Sequence, residues 1–338
     1  GRRGWFPNRL IATFFALLIA TAASAEKLRI ATFNTELSRK GPGLLLRDIL
    51  SGKDAQIGAV IQVLVRLDAD VLALTSFDFD YNLVALSAFA EQLGEAGAAY
   101  PYRFALRPNT GMATGLDMDR NGRTGDPRDA QGFGYFSGQD GMAILSRLPF
   151  NTAAVRDFSG FLWRDLPQAL LPDDMTIAAR AVQRLSTTGH WQVPVILPDN
   201  TDLTLLFWHA TPPVFDGPED RNGRRNHDEA AFWLRLLAGD LGFDAPAPPF
   251  ILLGDGNLDP VRGDGRPGAI SALLASPALQ DPLPGLPTAG YEQTGPLRVD
   301  YLLPSAGLGI AASGVLRPGK APGDAELFAA ASRHFPVW

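Results

Sequence analysis

Phe250-Ile-Leu-Leu-Gly-Asp-Gly-Asn257 carries the strongest structural signal in this 338-residue sequence. Four apolar residues lead through a glycine into an aspartate, and an asparagine follows two residues later. A short apolar run is typical of a buried strand, and Asp-Gly favours a turn. The segment therefore predicts a buried strand with a carboxylate and an amide at its end.

The same pattern recurs along the chain. Five other short apolar runs predict strands, at 28–33, 71–74, 141–145, 203–208 and 299–303. Segments with helical spacing of apolar residues lie between them, at Ala55–Leu67, 83–96 and 228–241. This mixture indicates an α/β or α+β fold built of packed layers. Because α/β enzymes place their sites at sheet edges, the polar residues that follow or interrupt the strands are candidate site residues: Asn34, Asp78, His209, Asp255, Asn257 and Asp300.

The composition excludes several classes of protein. With 46 % apolar and 20 % charged residues, the chain is globular rather than disordered or fibrous. The absence of cysteine excludes disulfide scaffolds, cysteine zinc sites and thiol nucleophiles. The net charge of −6 argues against a protein whose main task is to bind polyanions, because lysine and arginine supply most of the affinity for nucleic acid.

The N-terminus predicts a secretory signal peptide over residues 1–25. Ala23-Ser24-Ala25 is a typical cleavage site, and an apolar segment precedes it. We therefore expect a mature chain that begins at Glu26, forms a single domain over 26–338 and resides in the periplasm or outside the cell. Its net charge would be −9, because cleavage removes three arginines. The alternative is a retained anchor helix.

Six segments occur in an order that resembles the endonuclease/exonuclease/phosphatase superfamily. Gly-Asp-Gly-Asn257 and Ser332-Arg-His334 are the most specific of them. The others are Arg29-Ile-Ala-Thr-Phe-Asn34, Gly141-Met-Ala-Ile-Leu-Ser-Arg147, His209-Ala-Thr-Pro212 and Arg298-Val-Asp-Tyr-Leu-Leu303. The resemblance implies a four-layered sandwich, with two packed mixed β-sheets flanked by helices, and metal-dependent hydrolysis of phosphoesters.

The resemblance also implies a role for each matching residue. Asp255 matches the carboxylate that positions or deprotonates the attacking water, and Asn257 the amide beside it. His334 and His209 match two histidines that face the phosphate, and Asp300 resembles the carboxylate that orients His334. Asn34 matches the amide near the metal. The implied metal is Mg²⁺ or Mn²⁺, and both ions take the oxygen ligands that this chain can supply.

Two positions depart from the family pattern. Ser76 stands where the family has a metal-binding glutamate, and Arg333 replaces an aspartate before the final histidine. Glu36 lies two residues after Asn34, and alternate residues of a strand share a face. We therefore expect Glu36 to replace the missing ligand with help from Asp78, and Arg333 to bind phosphate oxygens. The alternative is that Glu36 only caps a solvated loop.

Two further segments carry charged residues in suggestive patterns. Asp117, Asp119 and Asn121 match the first half of a calcium-binding loop, with Gly122 at the sixth position. The pattern predicts a structural Ca²⁺ site or, alternatively, a polar turn cluster.

Arg224 and Arg225 come just before the expected helix at 228–241. Arginines beside a helix N-terminus favour phosphate binding, and the alternative is a solvated loop.

Together these features predict an exported, divalent-metal-dependent phosphoesterase that uses an activated water. The substrate would be a small organic phosphate, a lipid headgroup or nucleic acid, and no protein partner is implied, so we expect a monomer. The competing hypothesis is a weakened or inactive relative that acts as a secreted calcium-dependent binding protein. The departures at Ser76 and Arg333 favour that alternative, whereas the retained aspartates and histidines oppose it.

Overall fold

The computed structural model describes residues 27–338, and the predicted signal peptide at 1–25 lies outside them. Two mixed β-sheets pack face to face between two layers of helices. The elements are β1 (Ile30–Leu37), α1 (Leu44–Ser51), α2 (Ala55–Leu67), β2 (Val71–Phe77), α3 (Val84–Glu95), β3 (Tyr102–Phe104), β4 (Gly141–Ser146), β5 (Arg156–Asp157), α4 (Ile177–Val182), β6 (Gly189–Ile196), β7 (Asp202–His209), α5 (Arg221–Ala238), β8 (Phe250–Asp255), α6 (Gly268–Leu274), β9 (Ala289–Tyr291), β10 (Gly295–Leu297), β11 (Asp300–Pro304) and α7 (Asp324–Ala331).

The first sheet has the strand order β1-β2-β4-β3, with β1 and β2 parallel and the other pairs antiparallel. Side chains alternate between its faces because successive residues of a strand point in opposite directions. Leu72 and Leu74 pack in the core shared with α1, α2, α3 and α7, whereas Val71 and Ala73 face the second sheet. A segment at 332–338 runs beside β1, where Thr32 and Val337 exchange two backbone hydrogen bonds of 2.9 and 3.0 Å.

The second sheet has the order β11-β8-β7-β6-β5, with β7 and β8 parallel and the other pairs antiparallel. Leu205 and Phe207 of β7 face the first sheet, and Leu206 and Trp208 pack in the core that includes residues of α5 and α6. A two-stranded hairpin of β9 and β10 stands apart from both sheets. The arrangement confirms the predicted four-layered α/β sandwich.

All six predicted strands and all three predicted helices are present. The main difference is α5, which begins at Arg221 rather than at 228 and ends at Ala238. Its first seven residues are polar or glycine, so no apolar periodicity marks them as helical. Asn226 is therefore an internal residue of this helix. Within residues 27–338, no helix is both long enough and apolar enough to cross a membrane.

Candidate active site

Strand register in the second sheet brings three of the predicted residues into one row. Asp255, at the end of β8, lies opposite His209 in the parallel ladder and opposite Asp300 in the antiparallel ladder. All three side chains are at least 95 % buried. Gly254 permits the close approach of β7 and β8, because a Cβ there would lie 2.0 Å from the carbonyl oxygen of Trp208. Neighbouring strands therefore hold an imidazole and two carboxylates side by side.

His334 completes this cluster from the segment beside β1. Its Nδ1 lies 2.8 Å from Oδ2 of Asp300, and the ring is almost fully buried. Burial by itself favours the neutral imidazole, but the charge of Asp300, its hydrogen bond and the charge of Asp255 outweigh burial and raise the pKa of His334 to about 9. His334 is therefore an imidazolium at neutral pH.

Asp255 is held by two donors. Oδ2 accepts a 2.7 Å hydrogen bond from Nδ2 of Asn34, and Oδ1 accepts one of 2.8 Å from the backbone amide of Asn257. Burial and the charge of Asp300 raise the pKa of Asp255, so its carboxylate is a stronger proton acceptor than an ordinary aspartate. Asn257 adopts a left-handed backbone with φ 51° and donates its side-chain amide to the carbonyl oxygen of Ala210.

The donor set of this cluster suits a divalent cation. One ligand atom from each of Asp255, Asp300 and His334 lies within 4.8 Å of the others. Among residues 27–338, Oδ1 of Asp300 finds no hydrogen-bond partner although it is buried, and the same holds for Nδ1 of His209. An unpartnered buried carboxylate oxygen is costly unless something binds it, and Mg²⁺ and Mn²⁺ prefer oxygen ligands. Oδ1 of Asp300 is therefore the atom that best fits the ion, because both oxygens of Asp255 already accept hydrogen bonds.

Glu36 and Arg333 do not take the places predicted for them. The backbone amide of Arg333 donates to Oε2 of Glu36 at 2.9 Å, and its guanidinium binds Oε1 through both Nε, at 2.7 Å, and Nη2. Although burial opposes ionisation, these hydrogen bonds lower the pKa of Glu36. The carboxylate that was expected to bind the metal and the guanidinium that was expected to bind phosphate are paired with each other. Both predictions are therefore corrected.

A bulge explains why Glu36 does not share the direction of Asn34. The ladder between β1 and β2 shifts register between Asn34 and Leu37, and Glu36 has φ 51° while Ser76 on the neighbouring strand has φ 54°. An extra residue in a strand breaks the alternation of side chains. The two-residue spacing on which the metal prediction rested is therefore not a strand spacing at this point.

Asp78 also lies apart from the cluster. Its Oδ1 accepts from the backbone amide of Asp140 at 2.9 Å, and its Oδ2 from that of Arg39 at 2.7 Å. Burial raises the pKa of Asp78 to about 6 despite these bonds. The side chain lines a separate surface cavity between the start of α1 and the loop after β2. Its prediction as an assisting metal ligand is therefore corrected to a role in fixing two loops.

The two arginines predicted to bind phosphate lie within α5. Arg225 is buried, and its guanidinium donates to four backbone carbonyl oxygens, those of Gln131, Arg184, Leu185 and Ser186. The prediction for Arg225 was wrong, because its buried guanidinium is held by these carbonyl oxygens. Arg224 is half-buried and donates through Nε to the carbonyl oxygen of Glu219, and phosphate binding by Arg224 stays a prediction.

The predicted calcium loop is compact and acidic. Oδ1 and Oδ2 of Asp117 accept from the backbone amides of Asn121 and Gly122 at 3.1 and 2.8 Å. Carboxylate oxygens of Asp117, Asp119 and Asp129 lie within 4.8 Å of one another, whereas Asn121 donates its amide to Asp119 and Asp126. Among the described residues, Asp129 thus replaces Asn121 in the acidic cluster, and calcium binding there stays a prediction.

Two residues that sequence reasoning missed also bear on the cluster. Tyr291, at the end of β9, has its hydroxyl 3.1 Å from Nε2 of His334. Asn226 of α5 donates to the carbonyl oxygens of Thr211 and Gly256 at 2.7 and 2.8 Å, which ties together the segments that follow β7 and β8. No sequence pattern marks Tyr291, since its partner is 43 residues away.

Comparisons with known proteins agree with this architecture. The model of the Endonuclease/Exonuclease/phosphatase family matches residues 31–334. No curated protein matches the chain. The fold is similar to that of an endonuclease/exonuclease/phosphatase from Beutenbergia cavernae, with 17 % identity, a TM-score of 0.56, and coverage of 92 % of this chain and 70 % of that one.

Two further solved structures share the fold. A family protein from Leptotrichia buccalis has 15 % identity and a TM-score of 0.51, with 92 % of this chain and 98 % of that chain covered. One from Bacteroides vulgatus has 12 % identity and a TM-score of 0.51, with coverage of 92 % and 96 %. The family model spans both sheets and the whole cluster from Asn34 to His334. The chain therefore belongs to the endonuclease/exonuclease/phosphatase family.

Proposed function

We propose that this protein is an exported, divalent-metal-dependent phosphoesterase that hydrolyses its substrate by attack of an activated water. The observation that carries the proposal is the in-register row of His209, Asp255 and Asp300, closed by the ion pair between Asp300 and His334. A purely structural core would not keep two carboxylates and two imidazoles buried together, since burying charge is costly without a use for it.

Asp255 acts as the general base in this proposal. Asn34 and the backbone amide of Asn257 fix its carboxylate, and the raised pKa makes it a better acceptor for a proton of the attacking water. The side chain of Asn257 is itself fixed on the carbonyl oxygen of Ala210. The base is therefore positioned before the substrate arrives.

His334 stabilises the charge that develops on the phosphoryl oxygens. Oδ2 of Asp300 accepts the hydrogen bond from Nδ1–H, which leaves Nε2–H of the imidazolium to donate to a nonbridging oxygen. His209, with Nε2 3.6 Å from Oδ2 of Asp255, supplies a second imidazole on the same side. A divalent ion held by the carboxylate of Asp300 would supply positive charge at the phosphate and lower the pKa of a bound water.

The direct test is hydrolysis of bis-p-nitrophenyl phosphate, p-nitrophenyl phosphate and plasmid DNA with Mg²⁺, Mn²⁺ or Ca²⁺. We expect release of p-nitrophenol or nicking of the plasmid, with the activity abolished by a chelator and restored by the ion. The panel also separates diesterase, monoesterase and nuclease activities, among which the site does not discriminate. No turnover of any substrate with any ion, or turnover unaffected by chelation, would contradict the proposal.

A secreted binding protein is the second candidate. Two observations favour it. Ser76 stands where the resemblance implies a glutamate, and the carboxylate of Glu36 is bound by Arg333 and not free for a metal. A weakened enzyme would bind an inorganic phosphate or a phosphoester in the presence of the metal without turning it over. Binding without hydrolysis would select this candidate.

Export rests on the N-terminal sequence and is tested separately. The proposal expects cleavage after Ala25, so N-terminal sequencing of the protein from the periplasm or medium should begin at Glu26. An intact N-terminus retained in the membrane fraction would contradict export and leave the catalytic proposal unaffected.

A further inference from the structure

We propose that Tyr291 is a substrate-binding residue whose hydroxyl occupies, in the free protein, the position on Nε2 of His334 that a nonbridging phosphate oxygen takes in the complex. When the substrate binds, the hydroxyl turns from the imidazole to donate to the same phosphate. The inference rests on the proposed function. It adds a neutral donor to the charged groups already described.

The hairpin that carries Tyr291 is tied to the segment that carries His334. Ala289 and His334 form a backbone bridge, and the amide of Gly290 donates to the carbonyl oxygen of Arg333 at 3.0 Å. On the other side, Oγ1 of Thr288 accepts from the backbone amide of Asp300 at 2.9 Å. Tyr291 therefore belongs to the framework that orients the imidazole, and its contact with His334 does not depend on a free loop.

The side chain of Tyr291 is itself fixed by its neighbours. The guanidinium of Arg333 lies 5.3 Å from the centroid of the phenol ring, within the range of a cation–π contact. That guanidinium is held by Glu36. The phenol ring meets the ring of His334 edge to face, with centroids 5.9 Å apart and an interplanar angle of 89°. Arg333, which does not reach the cluster itself, thus acts on it by positioning Tyr291.

The geometry of the two side chains suits a shared phosphate oxygen. Nδ1 of His334 faces the carboxylate of Asp300, so Nε2 is the ring nitrogen left for a ligand, and the hydroxyl of Tyr291 lies 3.1 Å from it. The phenol is a neutral donor whose O–H can rotate towards a new acceptor. A phosphate oxygen accepts from both Nε2–H and O–H, which matches this pair of donors.

The test is Tyr291→Phe in the full chain, with Tyr102→Phe as the matched control. Tyr102 lies on the exposed strand β3 of the other sheet. A hydrogen bond to a charged group contributes enough that its loss lowers kcat/KM for bis-p-nitrophenyl phosphate by about 10- to 100-fold. We expect Tyr102→Phe to leave it unchanged. Affinity for inorganic phosphate, measured by titration calorimetry with Mg²⁺ present, should fall in parallel, and circular dichroism checks that the fold is retained.

Unchanged kcat/KM and unchanged phosphate affinity in Tyr291→Phe would overturn the inference. Tighter phosphate binding would also overturn it, because the hydroxyl would then be a block and not a donor. If the wild type hydrolyses no ester but Tyr291→Phe still weakens phosphate binding, the proposed catalytic function fails and the assignment of Tyr291 stands.

Discussion

Glu36 and Arg333 are 297 residues apart in sequence, and their side chains form an ion pair next to the imidazole of His334. Arg333 is the residue that replaces the aspartate of the family pattern, and Glu36 lies in the bulge opposite Ser76, which replaces the glutamate. The two departures are therefore linked in space. Where the resemblance implied two carboxylates, this chain has an ion pair whose guanidinium contacts the ring of Tyr291.

The ion pair between Glu36 and Arg333 predicts that Glu36→Gln leaves the metal requirement unchanged. The carboxylate of Glu36 is occupied by Arg333, so its loss should shift the Mg²⁺ or Mn²⁺ concentration for half-maximal activity less than about threefold. Asp300→Asn is the comparison, because it alters a proposed ligand and should raise that concentration far more, on the order of 10- to 100-fold as for groups that orient or bind a metal. A strong increase for Glu36→Gln would instead restore Glu36 as a ligand.

The role of Asp255 predicts a large loss of turnover in Asp255→Asn. The amide keeps the shape of the side chain but cannot accept a proton from water, so kcat should fall by about 10²- to 10⁴-fold. Steady-state kinetics with bis-p-nitrophenyl phosphate measure the effect, and circular dichroism checks the fold. Asp202→Asn, at the opposite end of β7, serves as the control and should keep full activity. Undiminished kcat in Asp255→Asn would remove Asp255 from the mechanism.

His334 predicts a pH dependence of stability. Its pKa is raised from an ordinary 6.5 to about 9 in the folded protein, so the folded state binds the proton more tightly than the unfolded state. The resulting stabilisation is fully present below about pH 6.5 and is lost as the pH rises through 9. Urea unfolding in the presence of a chelator should show this decline for the wild type. The difference between wild type and His334→Gln isolates it, and parallel curves would contradict the raised pKa.

The acidic loop predicts stabilisation by calcium. Binding to the folded state alone adds about 2.7 kcal/mol to the free energy of unfolding when free Ca²⁺ is a hundredfold above its Kd. The melting temperature of the wild type should rise with Ca²⁺, and that of the double variant Asp117→Ala/Asp119→Ala should not, because Asp117 and Asp119 belong to the acidic cluster. An equal rise in both proteins would place the calcium elsewhere.

The sequence pattern predicted the strands, the layered α/β class and the central row of the site, and the four-layered sandwich followed from the family resemblance. Apolar runs of strand length marked the strands, and the polar residue at the end of each run marked the sheet edge where Asp255, Asp300 and His209 meet. Strand ends are local features, so a single sequence contains them. Their alignment in one row then follows from the pairing of β7, β8 and β11.

The failures came from features that strand or helix periodicity does not encode. The bulge at Glu36 depends on backbone angles in two neighbouring strands, so counting two residues from Asn34 gave the wrong direction. The first turns of α5 carry polar side chains and no apolar stripe. Arg225 and Glu229 of this helix are nevertheless buried, because they form hydrogen bonds with backbone groups. Tyr291 contacts His334 because its hairpin pairs with the segment at 332–338, and no local sequence pattern encodes that pairing.

The spread of the site along the chain has a consequence for folding. Asn34, His209, Asp255, Asp300 and His334 come from five separate elements, and none of the contacts among them is local. Helices such as α2 can form from short-range interactions, whereas long-range pairing is slow because loops must close first. After dilution from denaturant, helical circular dichroism should therefore recover before hydrolytic activity does. Enzymatic activity becomes a late reporter that both sheets have docked.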